Sequence, residues 1–561
     1  MNINQGIFKI FTGGYNRLYF SLHVFHDYHL AFTCMKSMKK SSLFVNGRVH
    51  CLSCPETSAA SILVENGIIT ALDPDKNRMA AVHPSPDLVD LKGATVLPGF
   101  IDTHVHVASL GRIARSFANL YRARSIAAIV DSLKEKAAEQ PQGPLAGFGP
   151  NFRADLLAEG RLPAAADLDR VAKDRPVVLH DVNKYIVNSY VLARIAPEAL
   201  AKSKSTAAEF GKNVLFSKAR GLVPPECHVP VSSGHQLEED IVRALKLCAA
   251  NGLTCVVNAS VTMEQCRILR RLNRAGKIPI KMILLMFEVP PDKLAAEGIT
   301  PELVEGRLTF GPLKYFWDMF VMHRSALMHE PYLDEPDNHG KSFVPPDEFR
   351  KKLRAAFDAG WPVGVHCTGD RALDDLAVML LGEKERMAGL PPSHVIHAYF
   401  PSPRAMEICR SLRIGFAVQP AFIRDWGDTL PEFIGAGRAA RFLPLKTMLA
   451  ENLSLGGGSD APIVGMAPIA DMAAAMSRRT AGGKLLDQSE CLGADEALQI
   501  YTRGAATLVG KENVSGAIET GMAADFTVLD RDPRGLAPGE VEKLKVLMTV
   551  TDGRIVCRND Y

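Results

Sequence analysis

The feature that most limits how this chain can fold is a succession of short apolar runs separated by helical stretches. The runs are Thr254 to Asn258, Lys281 to Phe287, Leu308 to Phe316, Val363 to His366, Val395 to His397, Ile414 to Gln419 and Leu453 to Gly457. Strands that are apolar throughout, rather than at alternate positions, suit a parallel sheet covered by helices. An α/β fold with a (β/α)8 barrel of the TIM type is the economical solution. An open, doubly wound sheet would want a glycine-rich phosphate loop after an early strand. Gly456-Gly457-Gly458 comes late and runs into Ser459-Asp460.

Both ends read differently. Leu43 to Val49 and Ser61 to Ala71, the latter broken by the hairpin signal Asn66-Gly67, are strand-like, as are Ala524 to Asp530 and Val546 to Val556 with Asp552-Gly553 inside. We expect 41–97 and 508–561 to pair into a discontinuous β-sandwich, with the barrel over 98–507. The first barrel strand ends near His106 and the next begins near Leu253. That gap is too long for one βα crossover, so an inserted α+β subdomain is expected over 112–225, covering the mouth. Residues 1–40 are read as a poorly ordered or non-native extension, with Met35 and Met38 as alternative starts; mature protein beginning at Met1 would refute this.

Charge and cysteine content exclude several classes. The 65 basic residues nearly balance the 62 acidic ones, with no clustered basic face to suggest nucleic acid. Polar residues interrupt the apolar N-terminal stretch before it could span a membrane. The 11 scattered cysteines are not a disulfide framework and point to a reducing cytoplasm; Cys51 and Cys54 form an isolated Cys-x-x-Cys of ordinary thiols. The expected partners are a small-molecule substrate and a second copy of the chain in a homodimer.

The strongest local signal is Pro98-Gly99-Phe100-Ile101-Asp102-Thr103-His104-Val105-His106. Strand period puts His104 and His106 on one side, where both imidazoles can reach one metal ion. This segment resembles the first-strand motif of the amidohydrolase superfamily. In order after it, Gly364-Val365-His366-Cys367-Thr368-Gly369-Asp370-Arg371-Ala372 is similar to the fifth-strand segment, Val395-Ile396-His397-Ala398 to the sixth, and Gly458-Ser459-Asp460-Ala461-Pro462 to the eighth. Gly516 to Phe526 resembles the return into the superfamily's β-sandwich. His-x-x-Gly-Asp-Arg-Ala followed by Gln419-Pro420 narrows the resemblance to the amidohydrolase 3 branch, which includes N-substituted formamide deformylases.

The resemblance implies a metal-dependent hydrolase of carbon–nitrogen, non-peptide bonds, acting on an amide or N-substituted formamide. It implies two divalent metal ions, expected to be zinc, held by His104, His106, Lys314, His366, His397 and Asp460. Lys314 matches the branch's bridging lysine, carried as a carbamate formed from CO2. On the residues alone, Lys314 could instead snorkel or pair with Asp318, and Lys281 competes for the role. Asp460 is implied as the general base, taking a proton from the attacking water and returning it to the leaving nitrogen. His394 would point elsewhere on its strand. Asn183, Trp317 and Arg371 are candidate substrate contacts; Trp317, Met319, Phe320 and Met322 could equally be core, and Arg371 could pair with Asp370. Two alternatives stay open: a mononuclear deaminase of the same superfamily, and a catalytically silent regulatory relative.

Overall fold

The computed structural model describes residues 41–51, 58–82, 85–149, 152–182, 184–202 and 213–559. The expected extension 1–40, Cys54 and Asn183 lie outside them.

The apolar runs become a closed ring of parallel strands: β1 (Phe100–Val105), β2 (Leu253–Val261), β3 (Lys281–Met286), β4 in two pieces (Leu308–Phe310 and Leu313–Phe316), β5 (Val363–Cys367), β6 (His394–His397), β7 (Gly415–Val418) and β8 (Leu455–Gly457). Their residues divide by parity. Ile101, Cys255, Val257, Ile283, Leu285, Ile396 and Ala417 belong to an inner plug. Val256, Met282, Leu284, Val395, Phe416 and Val418 belong to the larger layer shared with the surrounding helices. The strands carry apolar residues at both parities because both of their faces are covered.

β4 is not the single strand expected over Leu308 to Phe316. Gly311-Pro312 interrupts it, since proline has no N–H for the ladder. The first piece pairs with β3 and the second with β5. The ring closes between its last and first strands: Thr103 Oγ1 donates to the Gly456 carbonyl (3.0 Å), Asp460 N to the His104 carbonyl (2.7 Å) and His106 N to the Ala461 carbonyl (2.8 Å). Gly458 is needed at this seam, since a Cβ there would stand 2.7 Å from His104 N.

The two chain ends meet in a six-stranded sheet that runs, in order, Arg554–Arg558, Val546–Thr551, Phe526–Leu529, Thr95–Pro98, Arg48–His50 and Ser58–Ala59. A four-stranded sheet contains Ser41–Val45, Ile62–Glu65, Ile68–Leu72 and Asp87–Asp90, and Phe44 from it packs edge-on against Phe526 (5.6 Å). The strand expected from Leu43 to Val49 is therefore two, in different sheets. Asn46 takes a left-handed conformation (φ 56) that ends the first. The hairpin at Asn66-Gly67 forms as expected, with both residues at positive φ.

Between β1 and β2, the strands Phe117–Asn119, Leu145–Phe148, Val177–His180, Lys184–Val187 and Val214–Phe216 make a separate five-stranded sheet. Helix Ile126–Glu139 packs on it, its N-terminus capped by Ser125. This insertion touches the loops after three barrel strands. Tyr121 Oη donates to the Pro462 carbonyl (2.5 Å), Arg153 Nη1 to Glu432 (2.6 Å), and His323 Nε2 lies 2.9 Å from the Val182 carbonyl.

Candidate metal centre

His104 and His106 leave the end of β1 beside Asp460, which follows β8. Asp102 sets this approach: it accepts from His104 N (2.9 Å), Ser459 N (3.1 Å) and Ser459 Oγ (2.6 Å). Asp460 Oδ1 consequently stands 3.4 Å from His104 Nε2 and 3.1 Å from His106 Nε2, and one ligand atom from each of the three side chains lies within 4.8 Å of the others. These approaches are close but not aligned as hydrogen bonds: Asp460 Oδ1 and His104 Nδ1 are buried without a hydrogen-bond partner among the described residues. Donor atoms that crowd one point without bonding one another suit a shared cation.

His397 joins from β6, its ring 5.4 Å from His104 and 4.5 Å from His366. The strand's plain alternation would not bring it there. His397 (φ 80) and Ala398 (φ 46) both turn left-handed, as does Asp460 (φ 54). Such backbone is costly for non-glycine residues and persists where the surroundings enforce it, commonly at functional sites. Gln419 fixes the ring: its amide nitrogen donates to the Ala417 carbonyl, so Oε1 accepts from His397 Nδ1 (2.7 Å) and Nε2 keeps the lone pair. His366 stacks on Phe316 (4.4 Å), and its Nε2 faces the Met319 carbonyl at 3.4 Å, which leaves the lone pair on Nδ1. Burial pushes His397 down to about 4 and holds His104 and His366 well below the usual histidine range, so these rings stay neutral.

Lys314 is fully buried at the end of β4. Its Nζ has no hydrogen-bond partner among the described residues and lies 4.8 Å over the Phe316 ring. Burial pulls the amine down to about 7, opposed by Asp460. Lys281 is not its equivalent: at the outer start of β3 it pairs with Asp525 (2.7 Å) and Asp552 (2.9 Å). Asp318 does not pair with Lys314 either. It accepts from the backbone N–H groups of Leu327 (3.0 Å), Thr368 (2.9 Å) and Gly369 (2.8 Å), tying the loops after β4 and β5 together. Asp318→Asn should therefore lower unfolding free energy by about 2 kcal/mol in urea titrations.

Two candidate substrate contacts lie elsewhere. Trp317 follows Phe316 on the opposite face of β4 and packs on Phe349 (4.9 Å) in the outer layer. Met322 is core as well, whereas Phe320 sits beside His366 (5.1 Å). Arg371 is half exposed on the helix after β5 and faces Asp375 (3.7 Å), one turn along, rather than the centre. Asp102, Ser459 and Gln419 were missed as positioning residues, although Asp102 and Ser459 belong to the motifs that supplied the ligands.

A family model described as "Amidohydrolase family" matches residues 87–557. A Bacillus subtilis protein, YtcJ, that carries an amidohydrolase name is 28% identical over 523 residues, covering 88% of this chain and 95% of that one. The N-substituted formamide deformylase of Arthrobacter pascens is 25% identical, covering 91% and 97%. A structure titled as an uncharacterized metal-dependent hydrolase from Pyrococcus horikoshii superposes with a TM-score of 0.70 at 26% identity, over 89% of this chain and 99% of that one.

Proposed function

Since the chain belongs to the amidohydrolase family and is a hydrolase acting on carbon–nitrogen bonds, we propose that it hydrolyses an amide or N-substituted formamide at a two-metal centre. His104, His106, Lys314, His366, His397 and Asp460 would hold the ions. The observation that carries this reading is the convergence of imidazoles, one carboxylate and a buried amine that has no hydrogen-bond partner among the described residues, at one rim of the barrel.

Divalent ions, zinc for a donor set of nitrogen and oxygen, would supply Lewis acidity and water made acidic enough to react near neutral pH. Lys314 serves as a carbamate. The Nζ lone pair bonds to the carbon of CO2, one C–O π pair moves onto oxygen, and the Nζ proton leaves to solvent. A costly buried amine thereby becomes a two-oxygen anion. Asp460 takes the proton of the attacking water and returns it to the leaving nitrogen. The names of the Arthrobacter and Pyrococcus relatives support the reaction class and the metal. We read the two sheets at the chain ends as a composite β-sandwich and the insertion as an α+β cover for the mouth. Free cysteines suit a cytoplasmic setting, and among the described residues no helix is long and apolar enough to cross a membrane.

Elemental analysis of purified protein, combined with a panel of N-formyl, N-acyl and cyclic amides, tests this. The expected result is about two zinc ions per chain and turnover of at least one amide. A single ion with release of ammonia from a ring amidine would favour the deaminase reading, and bound metal without turnover of any amide would sink the proposed reaction.

A further inference from the structure

Lys314, Gly364 and His394 stand in one row across β4, β5 and β6: Lys314 pairs with Gly364, and Gly364 with His394. Paired residues of a parallel sheet present their side chains to the same face. Here that face is the barrel interior, marked by the neighbouring plug residues Leu285 and Ile396. Gly364 leaves room between its two polar neighbours. A Cβ on it would come within 3.1 Å of His394 Nε2 and 3.1 Å of Leu285 Cδ2, so the imidazole lies in the space a side chain would have taken.

His394 is 2% exposed, and neither ring nitrogen has a hydrogen-bond partner among the described residues. The same is true of Lys314 Nζ. An apolar residue would fill the plug without leaving a buried polar group unsatisfied, so the pair calls for an explanation. Its position on β6 does not make His394 a ligand: His397, three residues on, is the ring that reaches His104 and His366.

We propose that His394 is a positioning residue for Lys314, accepting the N–H that the lysine retains as a carbamate and so turning the two carbamate oxygens toward the ligand imidazoles. The inference rests on the carbamate reading given above. The donor and acceptor counts agree: a carbamate nitrogen keeps one N–H, and a neutral imidazole has one acceptor nitrogen.

The test uses full-length protein loaded with zinc chloride in 13C-bicarbonate. Lys314→Ala serves as the blank for the carbamate 13C resonance, and zinc affinity is measured by competition with a chelator. His394→Leu and His394→Met should lose most of the resonance and bind zinc about 10- to 100-fold more weakly, with partial recovery at high bicarbonate. His394→Gln, which restores an acceptor, should retain both. Two apolar variants guard against one failing to fold, and thermal unfolding identifies a variant that does. If both apolar variants keep the wild-type resonance and zinc affinity, or if His394→Gln loses as much as they do, His394 does not position the lysine. If the wild type shows no resonance above the blank, the carbamate reading itself fails and takes this inference with it.

Discussion

Asp460→Asn is expected to cut turnover by about 10³-fold or more while the protein keeps most of its metal. The asymmetry follows from the two jobs assigned to one carboxylate. As a ligand, Asp460 offers an oxygen 3.1 Å from His106 Nε2 and 3.4 Å from His104 Nε2, and asparagine still offers an oxygen there. As a base it must take a proton, which an amide cannot do. The left-handed turn at Asp460 (φ 54) tolerates asparagine better than most residues, so the backbone cost stays small. The measurement is kcat on the best substrate of the panel beside zinc per chain. A variant that keeps its rate removes Asp460 as the base, and one that loses zinc with its rate reduces it to a ligand.

Lys314→Met should have opposite effects on two quantities. Metal capacity should fall to at most one ion per chain, and activity with it, because the proposed carbamate could no longer form. The metal-stripped protein should nevertheless become more stable, by about 1 to 3 kcal/mol, since an unsatisfied buried amine is replaced by an apolar chain of similar length. Zinc analysis and urea unfolding of chelated protein read the two effects separately. An amine that earned its place by packing or pairing would give the reverse in stability, and that result would refute the carbamate role.

Much of the fold could be read from the chain because burial on both faces writes itself as unbroken apolar runs: Val256 and Val257 face opposite layers, yet both are apolar. The breaks were harder to see. Asn46-Gly47 and Gly311-Pro312 interrupt runs whose hydrophobicity continues across them, and only the pairing partners show that the halves belong to different neighbours. Strand parity explains why Trp317 packs in the outer layer, being one residue out of phase with Lys314 and Phe316. Parity alone would also have excluded His397, whose entry depends on a left-handed twist that no spacing reveals. Sequence order likewise says little about Asp102 and Ser459, which meet across 357 residues of chain.

The bonds from β1 to β8 and the turn after it that shut the ring are made by His104, His106 and Asp460 and by their neighbours. A reactant therefore has no passage between the first and last staves of the cylinder, because parting them would scatter the donor atoms it came to meet. Breathing that admits it belongs at the top, where Tyr121 rests on Pro462 and His323 on Val182. Amide exchange should be fast at those contacts and slow along the seam.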